Sequence, residues 1–242
     1  MQLEACVHVC CFPGGYQPTH RLADLASTSE AGSFASRVYM TYGVHPHSAS
    51  QYDDALEKEI EQAMSHPRTV AWGECGLDFF KNLSEQEVQK AVFARQLQKA
   101  VEHNKPLVIH SRDAEADTLR LLKEHVPTEW KIHMHCFGES PEMAAELLAL
   151  YPNVYFGFTG AITFAKAGRA PEVVKMVPLN RLLLETDCPF MAPEPHRGKV
   201  AQPAMTPLVA KKVAELKEIS LAEVIRATTE NARTVYSLPK RE

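Results

Sequence analysis

Short aliphatic runs alternate along this chain with longer segments of helical periodicity. Residues 3–11, 38–43, 69–74, 107–110, 132–135, 154–158 and 181–185 are each too short for a helix and too apolar for a strand with one wet face. They predict strands covered on both sides, as in a parallel sheet. Between them, residues 51–65 place Leu56, Ile60, Ala63 and Met64 on one face, and 84–103 repeat Val88, Ala91, Val92, Leu97 and Val101 at helical spacing. Ser84 with Glu87 reads as a capping box for the latter. Ser140, followed by Pro141 at a first helical position, starts another helix that ends near Tyr151. Residues 206–236 are helical in pattern, with a break and restart at Ser220 and Glu223.

Strands alternating with helices in this way predict an α/β fold, either an open doubly wound sheet or a TIM-type (β/α) barrel. The absence of GxGxxG and Walker A motifs disfavours the nucleotide-binding version, so no nucleotide cofactor is expected. With no linker or low-complexity stretch, residues 1–242 read as a single domain. The longest apolar runs, 7–11 and 182–184, fall far short of the roughly 18 to 20 residues of a membrane span, so no membrane association is expected. A formal charge of −4 removes the broad basic field that drives non-specific nucleic-acid binding, so any phosphate substrate must be held locally. Six cysteines are too few for a disulfide scaffold. They fit a reducing compartment, the cytoplasm or the nucleus. The first fifteen residues lack a basic segment and read as a buried strand, not a signal peptide.

The polar chemistry gathers at the carboxyl ends of the predicted strands: Gly43-Val44-His45-Pro46-His47, Gly73-Glu74-Cys75-Gly76-Leu77-Asp78, Ile109-His110-Ser111-Arg112-Asp113, His133-Met134-His135-Cys136-Phe137 and Leu184-Glu185-Thr186-Asp187-Cys188-Pro189. In a parallel barrel those ends open on one face, where active sites are built. Each residue alone has a structural explanation, as a hydrogen-bonded histidine or a helix cap. Several imidazoles and carboxylates on successive apolar strands are costly to desolvate unless paired or bound to a cation. Mixed ligands of this type suit Zn, Mn, Fe or Mg. Strand alternation turns Cys75 and Cys136 away from a site that Glu74 and His135 face, so both cysteines are expected to be structural. By the same alternation His133 and His135 can both point inward. His8, in mid-strand, is expected in the core.

The motifs GVHPH at 43–47, GECGLDFF at 73–80, the helix containing Phe93 and Gln96, PLVIHSRDA at 106–114, HCF at 135–137 and LLLETDCPF at 182–190 resemble those of the TatD-type metal-dependent deoxyribonucleases. These are TIM barrels of the amidohydrolase-like group. The resemblance runs in order from about Leu3 to ENARTVYSL at 230–238. It implies a divalent-metal phosphodiesterase acting on DNA, exonucleolytically, with one or two ions of Mg, Mn or Zn. In that family the Glu of GExGLD bridges the metal positions, the His of HSR and the His of HCF are ligands, and the Asp of ETD is a ligand close to the attacking water. Those roles carry over to Glu74, His110, His135 and Asp187, with Glu74 and Asp187 as the catalytic pair. Arg112 and His45 match positions near the substrate phosphate, and a guanidinium suits that task because it offers a bidentate fork.

The chain departs from the pattern at its start, since the family's first strand, ending in HxHxD, has no counterpart. Residues 3–11 match the second strand, so a barrel incomplete at its N-terminus, with seven strands, is expected. Three readings follow: a shortened version of a complete enzyme, a mononuclear enzyme using Glu74, His110 and His135, or a barrel that binds without turnover. The gap exposes a strand edge, which a second copy of the chain could cover. Hydrolysis of a small amide, lactone or phosphotriester is the alternative chemistry, since related barrels use similar ligands. Arg197 and Lys199, in the PHRGK loop, are candidates to extend a phosphate contact, with a solvated loop as the alternative.

Overall fold

The computed structural model of the protein describes residues 3–30 and 33–239; the rest of the expected 1–242 span lies outside the described residues. The chain falls into two compact units, one running to Lys131 and one from Ile132 onward.

The first unit contains β1 (Cys6–Cys10), α1 (Tyr16–Thr28), β2 (Val38–Tyr42), α2 (Asp54–Met64), β3 (Thr69–Asp78), α3 (Gln86–Glu102), β4 (Leu107–Arg112) and α4 (Glu115–His125). Its strands are all parallel and pair in sequence order. Trp72 and Leu77 on β3 are fully buried, as are Leu107, Val108 and Ile109 on β4, consecutive residues on opposite strand faces. Both faces of these strands are therefore covered, as the unbroken apolar runs predict. The second unit contains β5 (Ile132–Met134), α5 (Pro141–Leu150), β6 (Val154–Phe158), α6 (Ala170–Met176), β7 (Leu182–Leu184), α7 (Thr206–Lys217) and α8 (Leu221–Tyr236). Its three strands are again parallel and paired in order. Asn231 of α8 donates its amide to the carbonyls of Leu179 and Leu182, at 2.9 and 2.8 Å, and so ties the last helix to the start of β7.

Helix signals in the sequence are realised unevenly. Ser140 accepts a hydrogen bond from the Met143 N–H and Ser220 one from the Glu223 N–H, as N-caps should. The break expected in the C-terminal helical stretch falls between α7 and α8. The Ser84–Glu87 capping box is corrected: α3 starts after Glu85, which makes no side-chain cap, and the Ser84 hydroxyl instead accepts from Ser50 N–H and donates to the His47 carbonyl. A tertiary demand, holding the loop after β2, has taken the cap residue. His8 is also corrected. It is exposed, because β1 is the outermost strand of its unit and only its Cys10 end is buried. Helix α1 is an element the sequence pattern did not assign; its inward residues are Tyr16, Thr19, Ala23 and Ala26, mostly small or polar.

Strand lengths differ from the pattern where the chemistry lies. β3 runs on through Gly73-Glu74-Cys75-Gly76 to Asp78, and β4 to Arg112, whereas β5 ends one residue before His135 and β7 one residue before Glu185. The long β3 depends on its glycines. A Cβ at Gly76, which has φ +148°, would lie 1.9 Å from the His110 carbonyl oxygen, and one at Gly73, φ +143°, would lie 2.4 Å from the Val108 carbonyl oxygen. β3 and β4 can approach at the ligand-bearing residues only with no side chain at either position. The register between them shifts at Gly73 and Cys75, so Glu74 is left out of the regular pairing.

Candidate metal centre

In the first unit the irregularity at Glu74 turns its carboxylate toward two histidines. Oε1 of Glu74 lies 2.9 Å from Nδ1 of His110 and 3.6 Å from Nε2 of His45. One ligand atom from each of His45, Glu74 and His110 lies within 4.8 Å of the others. Two ligands about 2.1 Å from a common ion stand at most about 4.2 Å apart, so small side-chain rotations would seat a cation among the three. Two imidazoles and a carboxylate form a donor set suited to Zn, Mn or Fe. Burial pushes the His45 imidazole down to about 3, against the pull of Glu74, so its ring is neutral at physiological pH; its Nδ1 accepts the His47 N–H at 3.1 Å, which places the ring proton on Nε2, on the side of Glu74.

A second carboxylate supports this group. Asp78, fully buried at the end of β3, accepts a hydrogen bond from Nε2 of His47 at 2.8 Å, and its Oδ2 lies 3.4 Å from Nε2 of His110. Burial raises the Asp78 carboxyl, but its bonds from His110, the Lys81 N–H and His47 outweigh that and hold it well below the usual carboxylate range. It is thus ionised and orients the imidazoles around it. Two glutamines of α3, seven residues apart and so on one helix face, fix the backbone beneath. Gln96 accepts from the Val44 N–H at 2.8 Å and from the Trp72 indole N–H at 3.2 Å, and donates to the Val44 carbonyl at 3.0 Å. Gln89 accepts from the Asp78 N–H at 2.8 Å and donates to the Asp78 and Ser84 carbonyls. Phe12 stacks on the His45 ring, with centroids 5.2 Å apart.

The second unit carries a separate polar cluster around Glu185. Its Oε2 pairs with Nδ1 of His135, and its Oε1 accepts from the Cys136 N–H at 2.9 Å and lies 3.2 Å from Nε2 of His133. Burial opposes ionisation of Glu185, but the two imidazoles prevail and hold its carboxyl below the usual range. His133 is itself anchored through Nδ1 by the Tyr236 hydroxyl at 2.6 Å. Gly157 makes the room, since a Cβ there would fall 1.6 Å from Oε1 of Glu185. With Nδ1 engaged by Glu185, His135 presents Nε2 toward Asp187, whose Oδ1 is 3.6 Å away.

The residues singled out from sequence are therefore distributed as follows. Glu74 and His110 meet in the first unit, joined by His45, which the resemblance sets beside a phosphate. His135 and Asp187 meet in the second. Arg112 ends β4 with an exposed side chain whose guanidinium carbon sits 4.0 Å from the centroid of the Phe80 ring. Arg197 is exposed too, over the Phe164 ring at 4.4 Å. Cys75 is fully buried, with its Sγ directed at the Val108 carbonyl, and Cys136 lies against Thr159 and Met191. Sequence reasoning passed over Asp78, Glu185, Gln89 and Tyr236. Asp78 stands inside GECGLDFF and Glu185 inside LLLETDCPF, and a carboxylate at a strand end was the available signal.

Comparison with known proteins gives the chain's family. The sequence profile described as "TatD related DNase" matches residues 2–237. An uncharacterized metal-dependent hydrolase of Bacillus subtilis, YabD, is 40% identical over 201 residues, covering 83% of this chain and 78% of its own. The human 3'-5' RNA nuclease TATDN2 is 38% identical over 205 residues, 83% of this chain but only 27% of the human protein. Among solved structures, YJJV, a TatD homologue from Escherichia coli K12, superposes with a TM-score of 0.86 at 26% identity, over 98% of this chain and 88% of its own. A TatD family hydrolase from Entamoeba histolytica shares the fold at a TM-score of 0.81 and 22% identity, over 97% and 85% of the two chains. The fold class is thus the TIM-type (β/α) barrel, with seven strands among the described residues. No helix of the described residues is long and apolar enough to cross a membrane. The chain belongs to the TatD family of metal-dependent hydrolases.

Proposed function

We propose that this chain hydrolyses phosphodiester bonds in DNA, as an exonuclease, with a divalent cation held by His45, Glu74 and His110. The observation that carries the reading is that donor set, in which the buried His45 imidazole, the buried Glu74 carboxylate and the half-buried His110 imidazole lie within 4.8 Å of one another. When bound there, a divalent cation would supply Lewis acidity toward a phosphoryl oxygen. The chain's own groups do the rest. Asp78 holds His47 and His110 in place, and Arg112 offers a planar fork to the phosphate from the end of β4. Asp187, a part-exposed carboxylate in the second unit, suits the role of proton acceptor that the family resemblance gives it. RNA is the second reading, favoured by the 38% identity to the human RNA nuclease.

Hydrolysis of single-stranded DNA and RNA in Mn2+ or Mg2+ tests both. The wild type is expected to degrade the preferred strand from one end. Glu74→Gln is expected to lose activity by at least about a hundredfold, the scale on which removal of a key electrostatic group acts. Equal activity in the two proteins would overturn the assignment of the cation to this cluster.

A further inference from the structure

The turn after β3 exposes Phe80, whose surface is 57% accessible. Two cations frame the ring, the Arg112 guanidinium at 4.0 Å and the Lys81 ammonium at 5.8 Å from its centroid. Single exposed apolar residues are ordinary and need no role. This one differs in how it is held. The Phe79 N–H donates to the Arg112 carbonyl at 2.9 Å, and the Lys81 N–H donates to Oδ1 of Asp78 at 2.8 Å. The other oxygen of Asp78 receives Nε2 of His47, and its backbone N–H is bound by Gln89. One buried carboxylate therefore fixes both the turn that carries the ring and an imidazole of the neighbouring cluster. Ring, cations and candidate ligands form one preorganised edge of β3 and β4.

An exposed aromatic ring with two cations close to it matches the chemistry of an unpaired nucleotide. The base stacks, its phosphate is drawn to the guanidinium and ammonium, and every base offers a π-face, so no sequence need be read. An acidic peptide would use the cations and leave the ring unused, and a paired base hides its face in the duplex stack. We propose that Phe80, with the Arg112 and Lys81 cations close to its ring, is a stacking platform for an unpaired base of single-stranded nucleic acid. The inference rests on the nuclease reading above and adds to it a contact for a base of the strand. It also accounts for a nucleic-acid substrate on a chain of net charge −4, since two local cations and a ring replace a basic field.

The test is binding of short single-stranded DNA and RNA oligonucleotides, each with a 2-aminopurine base, in Ca2+ with fluorescence detection. The wild type is expected to quench 2-aminopurine through stacking. Phe80→Ala is expected to weaken binding about tenfold and abolish the quench, within the range seen for loss of one stacked base. Phe80→Trp is expected to keep both. Weakening on one type of strand and not the other identifies that strand as the ligand. The platform is overturned if Phe80→Ala binds and quenches like the wild type, or if an abasic oligonucleotide loses as much affinity as the base-bearing one. The nuclease reading is judged apart, by wild-type hydrolysis of bis(p-nitrophenyl) phosphate in Mn2+, a diester with no base to stack. Absence of that hydrolysis counts against the phosphodiesterase and leaves the binding result to decide the platform.

Discussion

Replacing Gln96 by Leu tests whether α3 positions the candidate metal centre. The two side chains have similar volume, so the change removes hydrogen bonds with little new cavity. Gln96, Val44 and Trp72 are all within about one per cent of full burial, so three groups lose their partner without access to water: the Val44 N–H, the Val44 carbonyl and the Trp72 indole N–H. Each such orphan costs about 1–3 kcal/mol, giving a ceiling near 9 kcal/mol and, with loop relaxation, an expected loss of about 3–5 kcal/mol. That is a large part of the roughly 5–15 kcal/mol by which domains are stable. Val44 precedes His45, so the loss should also loosen one ligand and weaken Mn2+ binding. Urea unfolding followed by tryptophan fluorescence reads the first effect, because Trp72 is itself a contact of Gln96; calorimetric titration with Mn2+ reads the second. A variant within about 1 kcal/mol of the wild type, with unchanged Mn2+ affinity, would refute the reasoning.

Gly76→Ala should be more damaging than its size suggests. Its Cβ would meet the His110 carbonyl at 1.9 Å in a backbone conformation that disfavours a side chain, so little Mn2+-dependent thermal stabilisation should remain in whatever folds. Tyr236→Phe removes the 2.6 Å partner of His133 while keeping the ring, and urea unfolding should show a loss of about 1–2 kcal/mol. Brief iodoacetamide treatment followed by mass spectrometry should label exposed Cys188 first and leave Cys75 unmodified, since burial both shields the Cys75 thiol and raises its pKa.

Much of the fold was legible because it rests on local rules. Doubly buried strands leave unbroken apolar runs, and Ser140 and Ser220 carry cap chemistry that acts within three residues. Ser84 shows where such rules fail, since its hydroxyl serves a loop 37 residues earlier in the chain. His8 fails for a related reason: periodicity reveals a strand but not whether a neighbour covers it, and β1 lies outermost in its unit. Helix α1 went unassigned because its inward residues, Tyr16, Thr19, Ala23 and Ala26, are small or polar and not the aliphatic residues that mark a helix face.

The candidate site divides along the same line. Sequence by itself determined that imidazoles and carboxylates stand at successive strand ends, because the periodicity that marks a buried parallel strand also marks where it stops. Only the tertiary structure decided which of them meet. Glu74 reaches His45 and His110 because two glycines let β3 press on β4 and a register shift turns the carboxylate out of the ladder. Asp78, Glu185 and the two glutamines of α3 gained their roles in the same way. The histidine partners of Asp78 and Glu185, and the Val44 and Trp72 partners of Gln96, lie more than twenty residues away in the chain, and what holds them is the cost of leaving a buried polar group unpaired, a cost that exists only once the chain has folded.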